Sequence, residues 1–251
     1  MREQIEHFGK RVKSFPEGNK LTRENFVCSR NDDRFYLSNF QEEAVALHRD
    51  EIKRPQIENA LLSYDVNMRF YNALDRNEFE HAVEDISTTC GMKEVRDLEE
   101  CSKIMGIYML VLGEYKQLYI GQSTDIARRV YQHWTKFPAF DRLVFGSISN
   151  SNLSINSFCT LDTTQVFYML ADELDEREYD LTVKYGNGKY APYMANRILG
   201  GNPFENFMER EVFFRVRKLE DIITEEDLKK EAEINRMYES IRKYRKESLF
   251  G

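Results

Sequence analysis

The sequence predicts a mixed α/β protein of the α+β kind, and three observations carry that prediction. Over residues 1 to about 100 the apolar side chains recur at helical steps, as in Ile5, Phe8, Val12 and Phe15. At Met105 the character changes: GIYMLVL and QLYIG are short β-rich runs on either side of Gly113-Glu114-Tyr115-Lys116. Beyond them, helical stretches and short extended runs alternate to the C-terminus. The expected organisation of the 251 residues is a helical N-terminal region (1–100), a unit built around the β-rich runs (101–207), and a C-terminal strand and charged helix (208–251).

In chain order, Ser38 begins an S-x-x-Q capping pattern before a helix running toward Arg54, and Pro55 opens another. Ser63 to Ile86 keeps helical apolar spacing through Val66, Phe70, Leu74, Phe79, Val83 and Ile86. Lys93 to Lys103 reads as a short lead-in helix, and the two β-rich runs then form a hairpin. Asp125 to Phe137 is helical. RLVFGSI (142–148) reads as a strand, and TTQVFYML (163–170) as a strand or the start of a helix. Ala171 to Tyr185 is a helix ended by Gly186-Asn187-Gly188. GNGKYAPYMANRILGGNPF is a loop, and VFFRVRKL (212–219) a further strand or extended piece. Thr224 with Asp227 caps a last helix, whose stripe of Ile234, Met237, Ile241 and Tyr244 is bordered by Arg242, Lys243, Arg245 and Lys246. That stripe suits docking on the core, dimerisation or contact with DNA.

Composition narrows the classes. No apolar run approaches eighteen residues and the N-terminus has no apolar signal core, so neither a membrane span nor secretion is expected. Cys28, Cys90, Cys101 and Cys159 form no C-x-x-C pair and the four histidines do not cluster with them, which argues for reduced thiols in a cytoplasmic protein and against zinc. G-x-x-x-x-G-K-[ST] is absent, so ATP use is not implied. The formal net charge of −7 opposes bulk attachment to nucleic acid, yet Lys103 to Arg142 carries six Lys/Arg against three Asp/Glu.

Chemistry concentrates in three places. In the hairpin, a turn of two or four residues sets Tyr108 and Tyr119 on one face, whereas an odd-length turn separates them. Gly106 and Gly121 beside them allow another backbone to approach closely. In the next helix, Arg129 and His133 are four residues apart and share a face, and Gly121-Gln122-Ser123-Thr124 leads into an N-terminus that favours an anion. A guanidinium grips phosphate, with Arg128 beside it, and a histidine moves a proton near neutral pH. In the acidic helix ADELDEREYDLTVKYG, Glu178 stands within the apolar stripe of Leu174, Leu181 and Tyr185. A carboxylate there needs either an ion pair, with Arg128, Arg129 or Arg177, or a cation such as magnesium. Together a phenol, cations and a metal carboxylate suit a phosphodiester hydrolase.

From about Met105 to Asn196 these residues resemble the GIY-YIG nuclease family. The two tripeptides stand unaltered as Gly106-Ile107-Tyr108 and Tyr119-Ile120-Gly121, and the family's Arg-x-x-x-His falls on Arg129 and His133. Its metal-binding glutamate falls on Glu178 and a downstream asparagine on Asn196. The resemblance implies a three-stranded antiparallel sheet flanked by helices, one divalent metal (Mg²⁺, with Mn²⁺ tolerated) and cleavage of DNA by water. It implies catalytic roles for Tyr108, Tyr119, Arg129, His133 and Glu178, with Glu178 as metal ligand. Gly121, Ser123, Arg128 and Asn196 are the expected substrate contacts. It leaves open which tyrosine is the base; Tyr108 is favoured here. The competing expectations are a catalytically idle nucleic-acid- or protein-binding module, and a nuclease effector active only with a partner. No DNA-binding motif stands outside the matched segment, so the N-terminal helices are expected to supply target choice, a homodimer contact or a protein partner.

Overall fold

The computed structural model describes residues 4–13, 18–28, 42–135, 148–196 and 221–250. The expected features on Ser38, at 142–147 and at 212–219 lie outside them. The fold is α+β. In order come strands β1 (Gln4–His7) and β2 (Lys10–Lys13) and helices α1 (Arg23–Cys28), α2 (Glu42–Ala73) and α3 (Arg76–Thr89). There follow β3 (Lys93–Val95), β4 (Gly106–Leu112), β5 (Gln117–Ser123), α4 (Ile126–Thr135), β6 (Gln165–Leu170), α5 (Leu174–Gly186) and α6 (Glu225–Phe250).

The N-terminus corrects the helical expectation. Phe8 and Gly9 both have positive φ (47° and 69°), as a two-residue hairpin turn requires, and Ile5 lies directly across from Val12. The apparent helical spacing of Ile5, Phe8 and Val12 is a coincidence of hairpin geometry, which turns the same residues toward one core. Phe8 stacks on Trp134 with centroids 5.9 Å apart, and its carbonyl accepts from Leu98 N–H at 3.1 Å. A second correction concerns Pro55, which lies inside α2 and does not begin a new helix. An interior proline costs a helix about 3 kcal/mol. Here the helix continues into Ala60, Leu62, Val66, Phe70 and Tyr71, all buried, and their burial offsets that cost.

Among the described residues the main sheet has the order β3-β6-β4-β5, antiparallel throughout, with β4 buried along its whole length. It has four strands and not the expected three, because Lys93–Val95 pairs with β6 where a lead-in helix was expected. The helical character begins only at Leu98–Cys101, a 3-10 turn capped by Asp97 and Glu100. TTQVFYML resolves as strand β6.

Tyr108, Leu110 and Leu112 point to one face of the sheet and join a core with Val66 and Tyr71 of α2 and Val130 and Trp134 of α4. Ile107, Met109 and Val111 point to the other and meet Phe79, Val83 and Ile86 of α3 and Leu181 and Tyr185 of α5. The four-residue turn is anchored in the first core. Lys116 takes a left-handed conformation (φ 51°) and donates to the Tyr71 carbonyl at 2.6 Å, while Tyr115 Oη donates to the buried Asp162 at 2.7 Å. Asp162 also accepts from Leu21 N–H at 3.0 Å, tying residues 18–22 to the same core. Thr224 and Asp227 cap α6 as expected, Ile234 is buried, and Ile148 N–H donates to Glu231 at 2.7 Å. Cys90, Cys101 and Cys159 are free thiols. No helix among the described residues is long and apolar enough to cross a membrane.

The N-terminal elements and the sheet thus share one body of packing. A fragment from Glu94 to Phe207 would lose α2, α3, the N-terminal hairpin and the first residue of β3. It is expected to show no cooperative thermal transition and to lack near-ultraviolet dichroism. A cooperative melt like that of the whole chain would overturn this account of the core.

Candidate active site

The site grows from the register of the β4–β5 hairpin. Its turn holds four residues, so Tyr108 pairs with Gly121 and Leu110 with Tyr119. Both phenols therefore lie on one face, as expected for an even turn, with ring centroids 6.2 Å apart. The two tripeptide glycines serve different contacts. A Cβ on Gly106 would stand 2.0 Å from the Met169 carbonyl of β6, the backbone approach expected of it. A Cβ on Gly121 would stand 2.4 Å from Tyr108 Oη, so this glycine makes room for the neighbouring phenol.

Helix α4 brings in the cations. Ile126, Ala127, Val130 and Trp134 bury its inner side, and Trp134 Nε1 donates to Thr163 at 3.0 Å, which fixes the rotation of the helix. That rotation turns His133 inward, where it is 2% exposed, with Nε2 at 2.8 Å from Tyr108 Oη. The His133 ring also meets Tyr119 edge-on at 5.4 Å. Arg129 sits one turn earlier and exposed, and its charge opposes the rise in the Tyr108 pKa. Arg128 is exposed on the adjoining side.

Burial dominates the electrostatics. It pushes the Tyr108 phenol well above its usual pKa; the neighbouring Tyr119 and Glu178 raise it further and Arg129 opposes them. Burial, followed by the charge of Arg129, lowers His133 to about 4, against a partial rise from Asn156. At neutral pH the pair is a neutral phenol beside a neutral imidazole. Glu178 carries the charge that raises the Tyr108 pKa from α5. It is half-buried on α5, on the side of buried Leu181 and Tyr185, while Asp172, Glu173, Asp175, Glu176 and Asp180 are exposed.

Ser123 and Asn196 are engaged with backbone. Ser123 Oγ accepts from Asp125 N–H at 3.0 Å and donates to the Asp125 carbonyl at 2.8 Å, closing the turn between β5 and α4. The Asp125 carboxylate accepts from Arg128 N–H at 3.1 Å and so occupies the helix N-terminus expected to attract an anion. Asn196, 4% exposed, accepts from Ile120 N–H at 3.0 Å and donates to the Ile120 carbonyl at 2.7 Å, holding the outer edge of the YIG strand.

One residue of the site carries no sequence signal. Asn156 stands in the 3-10 turn Ile155–Ser157, with Oδ1 at 2.7 Å from His133 Nδ1. It falls in a stretch without periodicity, and only the packing of residues 148–162 between α2 and α4 brings it to the histidine. Asn67 of α2 helps hold that stretch by donating to Ser151 at 2.9 Å.

Among the described residues no group of three or more His, Cys, Asp and Glu could hold a metal. A single carboxylate suits magnesium, which keeps waters and takes substrate phosphate oxygens. No family model, no curated protein and no solved structure matches this chain.

Proposed function

We propose that the chain is a metal-dependent DNA endonuclease that hydrolyses phosphodiester bonds at a GIY-YIG type of active site. The observation that carries the reading is the hydrogen bond between Tyr108 Oη and His133 Nε2, with Arg129 and Glu178 acting on the same phenol. A neutral phenol is a poor base alone. In contact with a neutral imidazole it takes a proton from water as its own hydrogen passes to Nε2, so the negative charge never rests on oxygen. Arg129, exposed one turn before His133, would hold the non-bridging oxygens of the phosphate. Tyr119, half-exposed, orients the water or the phosphate from the outer side. Glu178 would hold magnesium, which when bound supplies Lewis-acid stabilisation of charge on the phosphate.

DNA as substrate draws support from the cations around α4. Arg11 and Lys13 are exposed on β2, and the Arg11 carbonyl lies 3.5 Å from the Tyr131 hydroxyl of α4. They add to the exposed cations Arg128 and Arg129 of α4 within a chain of net charge −7. Binding of a short duplex is expected to fall steeply with salt. Removing Arg11 and Lys13 together is expected to reduce the salt slope by about 1 to 2, at roughly 0.9 per phosphate contact.

The deciding experiment is incubation of the purified chain with plasmid DNA and Mg²⁺, with and without chelator, followed by end-mapping. Strand breaks are expected with Mg²⁺ alone. The rate should fall on acidification only as pH approaches about 4, where His133 becomes charged before the reaction starts and can no longer accept the proton. Absence of Mg²⁺-dependent breaks in any duplex or single-stranded DNA would overturn the reading.

A further inference from the structure

Asn156 meets the His133 ring at Nδ1, the nitrogen that does not face Tyr108. It is 8% exposed, and Ser154 Oγ accepts its backbone N–H at 3.3 Å, which sets the turn that carries it. Its Oδ1 is 2.7 Å from Nδ1 of the ring whose Nε2 is 2.8 Å from Tyr108 Oη. The polarity of this chain of contacts follows from the burial of Tyr108. Tyr108 is 1% exposed, so its phenolic hydrogen needs an acceptor within the protein. His133 Nε2, 2.8 Å from the phenol oxygen, lies within reach of that hydrogen. A neutral imidazole that accepts at Nε2 carries its proton on Nδ1, and a buried Nδ1–H needs an acceptor. The Oδ1 of Asn156 supplies it.

The opposite orientation fails on counting. With the Asn156 amide nitrogen turned to the ring, Nδ1 would have to accept and Nε2 would carry the proton. Tyr108 would then accept from His133, and its own buried hydrogen would lose Nε2 as acceptor, at a cost of about 1–3 kcal/mol.

We propose that Asn156 is a positioning residue that holds His133 in the Nδ1–H tautomer, so that Nε2 is open to receive the proton of Tyr108. The role rests on the Tyr108–His133 relay of the proposed nuclease. In that step water loses a proton to Tyr108 Oη while the phenolic hydrogen moves to Nε2. The resulting imidazolium keeps its Nδ1–H on Asn156, and its added proton is released to solvent after strand scission. Imidazole in water favours the Nε2–H form, so without Asn156 the ring would point a hydrogen at the phenol and block the transfer.

The test reads the tautomer apart from catalysis. Two-bond ¹H–¹⁵N correlation spectra of the full chain report which ring nitrogen is protonated, with His133 assigned by loss of its signals in His133→Gln. The wild-type ring is expected to be protonated at Nδ1 at neutral pH. Asn156→Ala is expected to move the population to Nε2–H, and to lower kcat at least about tenfold, up to the roughly 10⁴-fold that a wrong tautomer costs in a Ser-His-Asp triad, with little change in KM. Asn156→Asp keeps an acceptor and is expected to restore the Nδ1–H form and most of kcat. A wild-type ring protonated at Nε2 overturns the proposal, and that spectrum decides it even if Asn156→Ala does not fold. An Asn156→Ala ring that keeps Nδ1–H also overturns it. The expected spectra in a wild-type chain that cuts no DNA would remove the nuclease reading and leave the tautomer assignment standing.

Discussion

Glu178→Ala is expected to abolish Mg²⁺-dependent cleavage while leaving the thermal melt close to wild type. The side chain is half-buried on α5, so its loss opens no fully enclosed core cavity. Its charge raises the pKa of Tyr108. Removing it would therefore make the phenol slightly more acidic, a change that does not by itself impair a proton relay. Any large loss of rate must come from the missing metal ligand, worth several kcal/mol of barrier, or about 10³-fold and more. Glu176→Ala, an exposed carboxylate on the same helix, is the control and should lose little. Single-turnover cleavage across a Mg²⁺ titration, alongside thermal melting, separates the two. Wild-type rates in Glu178→Ala would remove it from the metal site.

The second large effect is at Tyr108. Tyr108→Phe keeps the ring that fills the space over Gly121 and removes one hydroxyl, so the chemical step is expected to slow by about 10²–10⁴-fold. The variant also strips His133 Nε2 of its buried partner, which should cost about 1–3 kcal/mol of stability. Because phenol and imidazole act as one relay, adding His133→Gln to Tyr108→Phe should slow cleavage hardly further than either change alone. Tyr119→Phe, at a half-exposed position, should have the smaller effect. If Tyr108→Phe cuts at the wild-type rate and Tyr119→Phe is dead, the two phenols exchange roles.

Much of this site is legible in the chain because its parts are local. Four residues between the two β-rich runs put Tyr108 and Tyr119 on one face through the period of two along a strand. The four-residue step from Arg129 to His133, and from Leu174 to Glu178, sets each pair on one helical face through the period of 3.6. The cap at Thr224 and Asp227 is local for the same reason. Local period misleads where a short apolar run fits two templates. Ile5, Phe8 and Val12 fit a helix as well as a hairpin, and the choice falls to Gly9, packed against Asp97 far along the chain. Lys93–Val95 is too short to show a period at all, and it is a strand because β6 offers it an edge.

The sequence by itself therefore determined the mirrored hairpin, the helix carrying Arg129 and His133, the helical face that carries Glu178 and the α+β class. Tertiary structure alone decided that Pro55 stays within a helix, that the sheet has a fourth strand, that Ser123 and Asn196 hold backbone, and that Asn156 meets His133. The first group depends on contacts between residues a few positions apart, whose geometry one element dictates. The second depends on pairings such as Asn156 with His133, 23 residues apart, or Asn67 with Ser151, 84 apart, which form only when separate elements pack and every buried donor must find an acceptor.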